Sequence, residues 1–209
     1  MLASRCRLCH ILGAKREMKQ TSQINIVSKG MEVPGRTCSG CTLCCSLLGI
    51  VELKKPVFTI CKNCIIGKGC KIYEVRPPTC AGFFCSYRLS ADLPKYWNPK
   101  VCGMVLHREV MGQADILSVI CSNNAKHRWK QEPYWNDIKR IAADLHVRYG
   151  AHVRILRKGQ PVLMINPTTF EAYAVGHLKD MAALPQWEQP NQTAEPAGHG
   201  EERDLAVSS

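Results

Sequence analysis

The sequence predicts an α+β protein in which an irregular cysteine-rich segment precedes a small antiparallel sheet with one main helix, in the order ββαββ. Three observations lead there. Nine of the thirteen cysteines fall between Cys38 and Cys85. Further along, two pairs of β-rich runs each enclose a glycine-centred turn, Met111-Gly112-Gln113 and Lys158-Gly159-Gln160. Between those pairs lies YWNDIKRIAADLHVRY (134–149), whose apolar residues recur at helical spacing.

Taken in order, residues 1–35 read as a flexible basic leader closing at Pro34-Gly35, with Met18 and Met31 as alternative starts. Residues 36–100 form the cysteine-cluster module. It is rich in glycine and proline and has little apolar period, as expected where a metal takes the place of a packed core. Residues 101–185 form the small α+β domain. VCGMVLHREV (101–110) and ADILSVICS (114–122) are its first strand pair, and HVRILRKGQPVLMINP (152–167) is its second. The helix between them starts near Pro133 or Asn136 and stops at Gly150. Its face is expected to carry Trp135, Ile138, Ile141, Ala142, Leu145, Val147 and Tyr149. Residues 186–209 are rich in Pro, Gln, Glu and Gly and read as a disordered tail.

Composition bounds the class. With 209 residues, 45% hydrophobic and 22% charged, the chain is globular in make-up. MLASRCRLCHILGAKREMKQ contains no continuous apolar run of signal-peptide type, and no stretch approaches a membrane helix. The chain is therefore read as cytoplasmic, without membrane partners. In that compartment thiols stay reduced, and an odd number of cysteines cannot pair fully within one chain. Clustered cysteines then point to metal or redox chemistry rather than to structural bridges.

The formal charge is +11, and residues 38–100 alone hold nine basic and three acidic side chains. Four thiolates around a divalent ion leave a net negative centre. Lys62, Lys68, Lys71 and Arg76 are read as compensating that charge. No stripe of aromatics interleaves the lysines, which argues against nucleic acid as the partner. A protein partner stays open.

The spacing carries the chemistry. CSGCTLCC (38–45) reads C-x2-C-x2-C-C, CKNC (61–64) adds another C-x2-C, and Cys70, Cys80 and Cys85 follow. Two thiolates reach one ion at about 2.3 Å only if the backbone between them turns back, which a two-residue spacer allows. Cys41, Cys44, Cys61 and Cys64 make C-x2-C-x16-C-x2-C, a zinc spacing. Cys38, Cys41 and Cys44 make the run that wraps one face of a cubane iron–sulfur cluster, with a fourth thiolate from afar. These patterns compete for Cys41 and Cys44. Nine cysteines suit two four-thiolate sites with one spare, or one site plus structural thiols, and spacing does not divide them. No histidine lies between Cys38 and Cys85, so the donor set is all sulfur. That suits zinc or an iron–sulfur cluster over copper(II) or non-haem iron.

CSGCTLCC followed by GCKIYEVRPPTCAGFFC resembles the YkgJ-like CxxCxxCC cysteine-cluster family of zinc- or iron-chelating domains. The matching features are Cys38, Cys41, Cys44, Cys45, Gly69-Cys70 with Ile72-Tyr73, Arg76-Pro77, Cys80 and Cys85, spanning residues 38–88. The resemblance implies chelation of a metal by these thiols, without a defined reaction. Flagellin lysine methylases look similar in this cluster, so an iron–sulfur enzyme, redox or protein-modifying, is one alternative. A zinc-stabilised protein or nucleic-acid adaptor is another. No catalytic constellation is evident, and no Gly-rich cofactor loop accompanies the cysteines.

The remaining readings concern surroundings. Tyr73 and Arg76 are candidates to border the cofactor, with Arg76 donating to a thiolate, or else to pack and cap a turn. Phe83 and Phe84 are expected to shield the site from water. Cys102 and Cys121 are assigned to core packing, and Cys6 and Cys9 to the leader. HRWKQEPYW (127–135) is expected to pack the start of the helix on the sheet. His107, His146 and His152 are read as surface or core histidines.

Overall fold

The structure, a computed structural model, describes residues 32–178. The cysteine segment holds short elements: helix α1 (Leu43–Leu47), the two-residue strands β1 (Cys64–Ile65) and β2 (Gly69–Cys70), and helices α2 (Pro78–Ala81), α3 (Ser86–Leu89) and α4 (Pro99–Cys102). The remainder is a five-stranded sheet of β3 (Met104–Met111), β4 (Ala114–Cys121), β5 (His152–Arg157), β6 (Pro161–Ile165) and β7 (Ala172–His177), with α5 (Tyr134–Tyr149) between β4 and β5. Most of the leader, with Cys6 and Cys9, and the tail lie outside the described residues.

The expected hairpins form at the expected turns, with Gly112 at φ +61° and Gly159 at φ +66°. The sheet order is β3-β4-β5-β6-β7. Contrary to the antiparallel sheet expected, β4 and β5 pair in parallel, with Ile116 opposite His152 and Cys121 opposite Arg157. The physical reason is the helix. Sixteen residues of α5 carry the chain back along the length of β4, so β5 starts where β4 started. The fifth strand, β7, was not anticipated. All six of its residues are exposed, so no buried face wrote an apolar alternation into AYAVGH.

α5 ends at Gly150 in the left-handed conformation, whose N–H donates to the His146 carbonyl, as the sequence suggested. Its buried stripe is Tyr134, Asp137, Ile138, Ile141, Ala142 and Leu145. Tyr149 was assigned to that stripe but is 42% exposed, and so was Val147, which is 82% exposed. The polar Asp137 replaces it on the inner face because three donors reach its carboxylate: Tyr96 Oη at 2.6 Å, Trp97 Nε1 at 2.8 Å and Arg140 Nη2 at 2.7 Å.

Both faces of the sheet are covered. On one, α5 packs on Leu106, Leu117, Val119, Val153 and Ile155, joined by Trp129 and by Leu93 and Trp97 from the cysteine segment. Cys102 and Cys121 lie in this core, as expected. Burial pushes their thiols up to about 11 and about 12, so they stay neutral fillers. On the other face the row Val105–Ile120–Leu156 receives Leu47, with Leu43, Leu48, Phe58 and Phe83 at its margin. Thus the module is seated on the sheet by one side of α1 and by two phenylalanines. Burial of each large aliphatic residue there contributes about 1.5–3 kcal/mol. No helix among the described residues is long and apolar enough to cross a membrane.

Candidate metal centre

All nine cysteines of the segment are free thiols, and Cys61 is buried while the others are half-buried. Short turns bring them together. The Cys41 N–H donates to the Cys38 carbonyl at 2.9 Å, and the Cys64 N–H to the Cys61 carbonyl at 2.9 Å, so each C-x2-C closes one turn. Gly40 makes the first turn possible at φ +63°. A Cβ there would stand 3.0 Å from the Gly67 carbonyl oxygen and 3.1 Å from Lys100 Nζ. The Cys61 N–H donates to the Cys45 carbonyl at 3.0 Å, tying the second turn to α1. In the β1–β2 ladder Cys64 lies directly opposite Cys70.

Cys45 is the electrostatic centre of one group. The hydrogen bond from the Cys44 thiol, then that from Cys64 and the charge of Lys55, pull its thiol down to about 6 against the opposing effect of burial. Cys44, as donor to Cys45 and buried, is pushed well up. Burial raises Cys80 to about 11, helped by the neighbouring Cys45 and Cys61. Lys55 is only 8% exposed. Its ammonium donates to the Leu48 carbonyl and stands among Cys61, Cys45, Cys44 and Cys80, while burial lowers its affinity for the proton.

A second set of contacts surrounds Cys38. Arg88 Nη1 donates to Cys38 Sγ at 3.1 Å, its Nε donates to the Arg36 carbonyl at 3.2 Å, and Nη2 pairs with Glu32. The backbone N–H groups of Arg88 and Tyr87 reach Cys85, opposing the upward push of burial on its thiol. Arg36 in turn donates to the carbonyls of Tyr87, Ser90, Ala91 and Leu93, clamping residues 32–37 onto the loop after α3.

These sulfurs meet in pairs and chains rather than around one point. Among the described residues no three His, Cys, Asp or Glu side chains surround a shared ion position. The donor set itself fits a thiophilic metal: nine thiols, two C-x2-C turns, and cations within reach of the sulfurs.

Of the bordering residues expected, Arg76 lies over the Tyr73 ring at 4.0 Å from its centroid, and Tyr73 is exposed. Arg88 is the arginine that touches a sulfur. Sequence reasoning missed it, as it missed Lys55 and Lys100. The one available signal was that Arg88 follows Cys85 by three positions, one helical turn. Phe83 packs beside His107 at 4.9 Å between centroids, and Phe84 lies under the Arg88 guanidinium.

The module also roofs a cavity of about 2180 Å³ against the sheet, whose walls include Cys45, Cys80, Lys55 and Phe83. On the sheet side lies the row His107–Ser118–Arg154, one step along from the apolar row. Arg154 is 1% exposed and donates to Ser118 Oγ and to Glu109 Oε1, each at 2.7 Å. Its Nη1 is buried without a hydrogen-bond partner among the described residues.

Comparison of the chain with protein-family models, with curated proteins and with solved structures returned no match.

Proposed function

We propose that the protein binds a metal, zinc or an iron–sulfur cluster, through the thiolates of Cys38, Cys41, Cys44, Cys45, Cys61, Cys64, Cys70, Cys80 and Cys85, in the manner of the YkgJ-like proteins that its cysteine pattern resembles. The observation that carries the reading is the Cys44–Cys45–Cys64 chain of thiols, joined to Cys61 by a backbone hydrogen bond. Helix α1 and the Cys61–Cys64 turn bring these thiols side by side near the buried Lys55. A thiol cluster of that kind makes a poor apolar core, whereas it supplies the soft anionic ligands that zinc and iron take. The all-sulfur set would make zinc structural. In an iron–sulfur cluster it would supply an electron carrier.

Metal analysis and an optical spectrum on anaerobically purified protein test this. Stoichiometric zinc in a colourless sample, or iron with visible absorbance that bleaches on reduction, supports it. A folded protein that holds neither metal and takes up neither ends it.

The iron–sulfur enzyme is the second reading. The cavity favours it, because its walls join the cysteine module to a buried arginine that still has an N–H to give.

A further inference from the structure

We infer that Arg36 is a positioning residue for the thiols: it latches residues 32–37 onto helix α3 and so holds the Arg88 guanidinium on Cys38. The inference rests on the metal-binding reading above and deepens it, because it gives residues that precede the first of the nine cysteines a part in holding the metal.

The guanidinium of Arg36 is one half of the latch. It donates four hydrogen bonds to main-chain oxygens. Nη1 reaches the carbonyls of Tyr87 and Ser90, each at 2.6 Å, and Nη2 reaches those of Leu93 at 2.7 Å and Ala91 at 3.2 Å. Helix α3 is four residues long, and the carbonyls at the end of such a helix have no partner within it. A planar fork of N–H groups satisfies several of them at once, which a compact ammonium does less well. The same guanidinium lies over the Tyr87 ring, 4.2 Å from its centroid.

The main chain of residues 32–37 is the other half, and it grips Arg88 directly. The Val33 N–H donates to the Arg88 carbonyl at 2.7 Å. The Arg36 carbonyl accepts from Arg88 Nε at 3.2 Å, and Glu32 pairs with Arg88 Nη2. Arg88 Nη1 is then held 3.1 Å from Cys38 Sγ. Cys85 is the residue at which α3 begins, so the latch also ties the backbone of Cys85 to the segment that leads into Cys38. A free arginine side chain would lose rotamer freedom each time it met the sulfur. In this arrangement that ordering is already complete, and Arg36 acts on the sulfur through Arg88.

A double-mutant cycle on the full-length, anaerobically purified protein tests the assignment. The readout is retention of the zinc or iron it carries, in competition with a chromophoric chelator. Arg36→Ala is expected to weaken retention about 10-fold, as Arg88→Ala does, and the two together little more than either alone, because the second change removes a hydrogen bond already lost. Arg36→Lys keeps the charge without the fork and should restore only part of the loss. A residue that served general stability alone would add its effect to that of Arg88→Ala. A second measurement needs no variant and so survives one that misfolds: by NMR hydrogen exchange in the parent protein, the Val33 amide should exchange as slowly as that of Ser90 in α3. Additive losses in the cycle, retention unchanged by Arg36→Ala, or a Val33 amide that exchanges like an unprotected one overturns the latch while leaving metal binding intact. A parent protein that neither carries nor takes up zinc or iron is a different result, and overturns the reading on which the inference rests.

Discussion

Arg88 Nη1 donates a hydrogen bond to Cys38 Sγ at 3.1 Å while the same guanidinium holds the Arg36 carbonyl and Glu32. A side chain fixed on three sides presents its N–H to the sulfur without further ordering cost, and a hydrogen bond to a metal-bound thiolate tempers its charge. Arg88→Ala is therefore expected to weaken metal retention about 10-fold or more, the range seen when a ligand's supporting hydrogen bond is lost. Arg88→Lys keeps the charge but loses the fork, and should recover part of the loss. Competition with a chromophoric chelator measures it. Equal retention in all three proteins would show that the contact is incidental.

Metal removal should loosen the module and spare the sheet. Between Cys38 and Cys85 the described elements are helices of three to five residues and a ladder of two residues per strand. Such pieces do not persist on their own. The strands and α5 have their own core around Trp97, Trp129 and Ile155. Hydrogen exchange before and after chelation is expected to lose amide protection across residues 38–88 and to keep it in β4 and β5. Unchanged protection in 38–88 would remove the ordering role assigned to the metal.

His107 makes stability depend on pH. Burial holds its folded-state value down at about 4 against an ordinary 6.5. The unfolded chain thus binds a proton that the folded chain refuses between those values. The stability from neutral His107 is complete above about pH 6.5 and is lost as pH falls from there through 4. The gap corresponds to about 3 kcal/mol. Denaturant unfolding of the parent protein and of His107→Leu across pH 4–7 should show a steeper acid loss in the parent. Proton uptake by the cysteines is common to both and cancels in the comparison. Parallel curves would contradict the assignment.

The Arg154–Glu109 pair gives a further check on the buried row. Arg154→Met leaves the half-buried Glu109 carboxylate without its cation and with Ser118 Oγ as its remaining partner, and is expected to cost about 3–5 kcal/mol. Arg154→Met with Glu109→Met removes both charges and should cost clearly less. Chemical denaturation of the two variants decides it. A double variant no better than the single would mean that the pair is not the source of the loss.

The legible parts of this chain were those written by local rules. The turns at Gly112 and Gly159 were readable because a left-handed residue joins each pair of alternating runs. The limits of α5 were readable from the apolar stripe and the Gly150 stop. Asp137 was not, because an acid on an inner face makes sense only once Tyr96, Trp97 and Arg140 are known to reach it. Nor was the parallel β4–β5 pair, which depends on where α5 sets the chain down. In the candidate site, the cysteines announced themselves by spacing. Arg88 and Lys55 did not, since a cation beside a sulfur fifty positions away, or beside four sulfurs on three segments, leaves no trace in local order.

By itself the sequence determined that cysteine is concentrated in one segment and that strands and a helix follow it, because cysteine spacing and apolar period are properties of neighbours along the chain. Only the tertiary structure decided which sulfurs are neighbours, which cations stand beside them, and that the module roofs a charged row of the sheet. Those relations join residues far apart in sequence, and packing alone chooses among the many ways of joining them.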